Sequence, residues 1–330
     1  MLEHGGGLRA AAARYGTPLA HWLDLSTGIN PRHYPLSPPP ASAWHRLPEP
    51  DAELLAAAAT YYGSDQLLPV AGSQAAIQAL PAVLPARRIG LLAPSYAEHA
   101  HAWRGRDIVA LDAAAIDAAV DTLDALLLVH PNNPTGARFS RAQLSDWLGR
   151  LQARGATLIV DEAFIDTDPA DSLAPLAGTP GLVVLRSLGK FFGLAGARVG
   201  FVLAPADVRR ALAEQLGPWT LSGPAQDIAR QALRDTAWQH AMRRRLAEAG
   251  ARMGELLTRH GARPRGPALF KYVATASARR WQAALAHHAL WVRAFDTPAA
   301  LRFGLPADET GWARLDTALH HGRSAGLTLE

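Results

Sequence analysis

A lysine among apolar and glycine-rich neighbours is the first residue of this chain to ask for a chemical explanation. Lys190 lies in Leu185-Arg-Ser-Leu-Gly-Lys-Phe-Phe-Gly-Leu-Ala-Gly-Ala-Arg198, with Ser187 shortly before it and Arg198 after it. An amine that attacks a carbonyl must be unprotonated, and removal from water favours that form. Ser187 and Arg198 supply a hydroxyl and a guanidinium, both suited to a phosphate. The pattern therefore fits a cofactor held by its phosphate and bonded through the lysine. Taken alone it also fits a Ser-Lys nucleophile pair or an ordinary surface lysine.

Three further motifs point the same way. Asp161, in Val160-Asp-Glu-Ala-Phe164, ends an apolar run that reads as a buried strand. A carboxylate there sits at the functional edge of an open α/β sheet, where it can hold a proton on a pyridine nitrogen; it could equally cap a turn. Asn133, in His130-Pro-Asn-Asn-Pro-Thr-Gly136, follows the apolar run 126–129 and projects at the same edge, within reach of a ring hydroxyl. Gly72-Ser73-Gln74 opens a helix expected over 75–84. Amides at a helix N-terminus bind phosphate, and a glycine lets the backbone come close.

Sheet strands must present these residues. Strands are expected at 89–93, 108–111, 126–130, 157–161, 182–186 and 199–203, alternating with helices such as 140–154, where Ser140 reads as N-cap. That pattern predicts a mostly parallel, helix-covered sheet. Residues 35–40 (Pro-Leu-Ser-Pro-Pro-Pro) read as an extended connector, and a long helical stretch follows Gly223-Pro224 to about residue 260. Strands at 269–274 and 291–295 then flank a helix near 278–288. Apolar residues make up 49% and charged residues 19%, as in a globular protein, and the absence of cysteine excludes disulfides and thiolate metal sites. No metal is expected. Neither a signal segment nor an apolar run of about 18 residues is seen, which points to the cytoplasm and to no membrane partner. The net charge of +4 is dispersed; even Arg243-Arg244-Arg245 reads as a solvated helix face, so no nucleic-acid partner is expected.

The four motifs, in this order, resemble those of the class I/II aminotransferase superfamily, the pyridoxal phosphate (PLP) enzymes of fold type I. That resemblance implies an α/β fold, with a mostly parallel seven-stranded sheet in a large domain and a smaller α+β domain. It implies an arm over 1–40 contributing to the small domain, a large PLP-binding domain over 41–223 and a small C-terminal domain over 224–330. It implies a homodimer. Residue by residue, Lys190 bonds the cofactor, Asp161 holds its ring nitrogen, Asn133 its ring hydroxyl, and Tyr96 stacks on the ring. Gly72, Ser73, Gln74, Ser187 and Arg198 take its phosphate. Tyr96 reads equally as a packed core aromatic.

The ends of the chain resemble one branch of that family more closely. His4-Gly-Gly-Gly7 and Leu23-Asp-Leu-Ser-Thr-Gly-Ile-Asn-Pro31 are similar to the N-terminal arm of the decarboxylases that act on L-threonine O-3-phosphate in cobalamin biosynthesis. From residue types alone this stretch would be a flexible glycine arm and a strand-turn. The branch implies a carboxy-lyase whose substrate is a phosphorylated amino acid. Arg302 would take the α-carboxylate, His4 the substrate phosphate, and Gly28 and Asn133 would lie beside the substrate. The alternative is a histidinol-phosphate or related aminotransferase. A regulator with this fold would need an added helix-turn-helix, for which the chain leaves no room. Several positions depart from the pattern. Phe164 stands where aminotransferases carry Tyr, Leu47 where relatives place a Tyr that reaches the partner's cofactor, and Gly189 where they use Ser or Thr. Gly28 replaces an Asn of some decarboxylases, and Leu305-Pro306 occupies the place of a second C-terminal arginine.

Overall fold

In the computed structural model, which describes residues 2–329, the strands are β1 (Leu23–Asp24), β2 (Leu67–Val70), β3 (Arg88–Leu92), β4 (Asp107–Leu111), β5 (Ala125–Val129) and β6 (Thr157–Asp161). They continue with β7 (Leu182–Ser187), β8 (Gly200–Leu203), β9 (Phe270–Ala274), β10 (Leu290–Trp291), β11 (Arg293–Asp296) and β12 (Ala299–Gly304). The chain forms two compact units. The larger holds residues 33–133 and 137–242, and the smaller holds 2–32, 134–136 and 243–329 among the described residues.

The larger unit is built on a seven-stranded sheet of order β2-β8-β7-β6-β5-β3-β4. Neighbours from β7 to β4 pair in parallel, while β8 is antiparallel to both β7 and β2. Every residue of β5 is buried, as expected of a strand covered on both faces. Pro69 lies in β2, at an edge of the sheet, where a missing N–H is tolerated. On one face, Ile77 and Leu80 of helix Ser73–Val83 pack with Ile159, Val183, Leu185 and Val202 of the strands. Helix Arg141–Gln152 buries Leu144, Trp147, Leu148 and Leu151 and packs on β6. It starts as expected at Ser140, which shares a capping box with Gln143.

The smaller unit has a three-stranded antiparallel sheet, β11-β12-β9, and a short parallel pair, β1 with β10. The helical stretch after Gly223 differs from expectation. It is two helices, Gly223–Arg234 and Thr236–Arg259, parted at Asp235. The first packs on helix Ala52–Tyr62 and so falls in the larger unit, and the division lies inside the second, between residues 242 and 243. The expected strand 291–295 is likewise two pieces, β10 and β11, which pair with different strands.

Candidate active site

Three adjacent strands present the candidate chemistry at one edge of the large sheet. Asp161 is the last residue of β6. Asn133 lies in the loop after β5, and Ser187 ends β7 with Lys190 just beyond it. Parallel pairing of β5, β6 and β7 fixes all three loops at the same end.

Asp161 is 3% exposed, with one partner on each carboxylate oxygen. One carboxylate oxygen accepts from the backbone N–H of Ala163 at 3.0 Å. The other meets Nε2 of His99, itself buried, at 2.9 Å. His99 was not singled out from the sequence. It lies 62 positions from Asp161, and only the sheet brings the two together. A local signal did exist: His99 follows Tyr96 by one helical turn, and the two rings meet edge to face at 5.9 Å.

Asn132, the neighbour of Asn133, is the buried one of the pair. Its amide donates to the Pro94 carbonyl at 2.9 Å and its oxygen accepts from the Ser95 hydroxyl at 3.1 Å. It thereby pins the loop of Tyr96 to the loop of Asn133. Tyr96 is half-buried and donates to Gln74 at 3.2 Å, and Gln74 donates in turn to Glu98 at 2.9 Å. Tyr96 also packs against the core cluster, as a packed aromatic would.

A cradle of donors forms where helix Ser73–Val83 begins. Gly72 is its N-cap, with φ of 72°. A Cβ on Gly72 would lie 2.7 Å from the Arg198 guanidinium, so the glycine makes room for that cation over the helix terminus. Gly200 makes room from beneath: its Cβ would lie 2.5 Å from the Ser73 amide nitrogen. Arg198 holds the left-handed conformation at φ 53° and donates to the Ala195 carbonyl at 3.1 Å. The Ser187 hydroxyl accepts from the Gly189 amide at 3.2 Å. Amides, hydroxyl and guanidinium form a donor set for a dianionic phosphate. Lys190 Nζ lies 5.4 Å from the centroid of the buried Phe164 ring. Phe164, read from the sequence as lacking a hydroxyl, thus offers the lysine a ring face. Lys190, Asp161 and this cradle are the parts that an aldehyde cofactor with a ring nitrogen and a phosphate requires, and they fit it.

Behind the sheet edge lies a buried ionic network that the sequence analysis did not identify. Arg186 donates to Glu162 at 3.0 Å and to the Ser172 hydroxyl at 3.1 Å, and also pairs with Asp166. Glu162 accepts from Ser172 at 2.6 Å and from the Leu173 amide at 2.7 Å, and Tyr61 donates to Asp166 at 2.9 Å. Arg186 also lies over the Tyr62 ring at 4.6 Å. Glu162 follows Asp161, and Arg186 precedes Ser187, so the network ties together the strand ends that carry the site.

The remaining expected residues, His4, Gly28 and Arg302, fall in the smaller unit. Arg302 is 5% exposed on β12, with its guanidinium 5.4 Å from the Phe270 ring centroid and bonded to the Ser26 carbonyl. Gly28 adopts φ of 64°, in the left-handed region where Asn is among the best-tolerated alternatives.

The family described as "Aminotransferase class I and II" matches residues 41–321. A protein named threonine-phosphate decarboxylase from Pseudomonas aeruginosa is 54% identical over 322 residues, covering 97% of each chain. A histidinol-phosphate aminotransferase from Sodalis glossinidius is 44% identical over 139 residues, 42% of this chain and 38% of its own. Among solved structures, a histidinol-phosphate aminotransferase from Sinorhizobium meliloti in complex with pyridoxal-5'-phosphate superposes with a TM-score of 0.80 at 18% identity. That match covers 98% of this chain and 96% of the other.

Proposed function

The chain belongs to the aminotransferase class I and II family, and from that premise we propose that it decarboxylates L-threonine O-3-phosphate to (R)-1-aminopropan-2-yl phosphate in cobalamin biosynthesis, with pyridoxal 5'-phosphate as cofactor. The observation that carries the substrate is the nearly full-length likeness to the Pseudomonas decarboxylase. The aminotransferase alternative has only a partial match behind it.

When bound, the cofactor's ring takes up the electron pair left as carbon dioxide departs. The protein's own residues provide everything else. Lys190 anchors the cofactor and, by itself or through water, returns a proton to the substrate's α-carbon. Asp161, oriented by His99, keeps a proton on the ring nitrogen, because an adjacent carboxylate favours the cation. Asn133 bonds the ring hydroxyl, and Tyr96 covers the ring. Arg198, Ser187 and the helix terminus at Gly72, Ser73 and Gln74 hold the phosphate. Arg302 grips the substrate carboxylate with its planar fork and would thereby orient it for loss. His4 binds the substrate phosphate, with Gly28 beside it.

We assign the larger unit to the cofactor and the smaller to substrate recognition, and we place the enzyme in the cytoplasm as a homodimer. No helix among the described residues is long and apolar enough to cross a membrane. The dimer reading draws on three large apolar side chains of the larger unit: Trp44, Leu47 and Trp219 are 68%, 66% and 59% exposed. Trp219 also lines a cavity of about 420 Å³ with Leu54, Leu55 and Leu67. Where such side chains lie together they favour association.

The test is a paired assay on PLP-loaded protein. Carbon dioxide released from L-threonine O-3-phosphate is the expected result. Glutamate formed from histidinol phosphate and oxoglutarate, with no carbon dioxide from the first substrate, would replace this reading with the aminotransferase.

A further inference from the structure

The arm that carries His4 is tied down on both sides of that residue. Before it, the Glu3 carboxylate accepts from the Arg279 guanidinium at 2.9 and 3.3 Å and pairs with Arg293. Arg293 also donates to the Glu3 carbonyl at 2.8 Å. After it, the Gly6 amide donates to the Ser26 hydroxyl at 2.7 Å, and the Gly6 carbonyl accepts from the Trp291 indole at 2.9 Å. Between these ties, Gly5 is pressed onto the chain below, since a Cβ there would lie 2.4 Å from the Ser26 carbonyl oxygen. That same carbonyl accepts from Arg302. One peptide group therefore touches both the arm and the guanidinium assigned to the substrate carboxylate.

The acidic tie is not an ordinary surface pair. The Arg293 side chain is 12% exposed, although Glu3 itself is half in solvent. The hydrogen bond from Arg279 holds the Glu3 carboxyl below its usual range against partial burial. Arg279 is shared with Asp296, at 2.8 and 2.6 Å, so Glu3 joins a network already fixed on the sheet. A network of several charges contributes more reliably than an isolated surface pair.

We infer that Glu3 is a positioning residue for the substrate phosphate: its bridge to Arg279 and Arg293 fixes the arm and thereby sets where His4 presents its imidazole. This rests on the assignment of His4 in the proposed function. Two measurements on the full-length protein test it. The first is hydrogen exchange of the arm amides in residues 4–7, comparing wild type with Glu3→Gln and Glu3→Asp. Glu3→Gln should speed their exchange about fivefold with the global unfolding midpoint unchanged, and Glu3→Asp should restore part of the protection. The second is decarboxylation by the PLP-loaded enzyme. Glu3→Gln should raise KM for L-threonine O-3-phosphate about fivefold with a much smaller change in kcat, and should add nothing in a His4→Ala background. Unchanged arm exchange in Glu3→Gln overturns the latch. Faster exchange with an unchanged KM, or effects of Glu3→Gln and His4→Ala that multiply, overturns its role in placing His4. If the wild type releases no carbon dioxide, the proposed function fails instead, and the exchange measurement alone decides the latch.

Discussion

His130 ends up buried just beyond β5, stacked on Phe139 and accepting that residue's amide at 3.4 Å. Burial, aided by the positive charge of Arg138, lowers its pKa from the usual 6.5 to about 4. The unfolded chain binds a proton here near pH 6.5 that the folded chain refuses until about pH 4. Stability must therefore fall as pH drops through that window, by up to about 3 kcal/mol from this residue. Urea titrations at pH 7, 5 and 4 should show a steeper loss for wild type than for His130→Leu; parallel curves would remove His130 from the account. His99 makes a prediction of a different kind, because its contact is with Asp161. Replacing it by Phe takes one charge-assisted hydrogen bond from a buried carboxylate and should lower kcat about tenfold. His99→Gln keeps a donor and should recover part of that loss, whereas equal activity in both variants would show that the contact merely fills space.

At the level of elements, the site depends on how three strand ends are held. Arg186→Met would leave Glu162 and Asp166 buried without their cation, and should cost about 3–5 kcal/mol in chemical denaturation. Gly200→Ala is a subtler change. Its methyl group must push against the Ser73 amide and also against the Arg186 carbonyl of the neighbouring strand, so cofactor affinity should weaken about tenfold or more with some loss of stability. A Kd for PLP equal to that of wild type would mean the helix terminus contributes little grip. These elements were legible in the sequence to differing degrees, for physical reasons. Continuous apolar runs such as 125–129 and 157–161 announce buried strands, and Ser140 with Gln143 announces a capped helix. The break at Asp235 carries neither Gly nor Pro; its local signal is the Asp235 side chain, which accepts from the Trp238 amide at 2.9 Å and caps the second helix. β2 went unseen because Pro69 argues against a strand until its edge position is known. Asp161, Asn133, Ser187 and Lys190 could be singled out because each lies at or just after an apolar run, and the structure places each at or just beyond a strand end. The network of Arg186 and the contact of His99 join residues far apart in sequence and leave no periodic trace.

For the whole molecule, the exposed indoles make the proposed homodimer testable. Trp44→Asp combined with Leu47→Asp should shift sedimentation of the protein from dimer to monomer. A dimer that survives both changes would put its interface on another face. A last consequence follows from the register of β5, β6 and β7. Neighbouring strands stand about 4.8 Å apart, so the outer two of these three strands are about 10 Å apart with Asp161 on the strand between them. Backbone ladders set that interval, and point mutation hardly alters it. The sheet is in effect a fixed gauge between the loop of Asn133 and the loop of Lys190, with Asp161 between them. Directed evolution toward a different reaction should accordingly leave the gauge untouched and accumulate its changes among positions such as 3–7, 26–30 and 302.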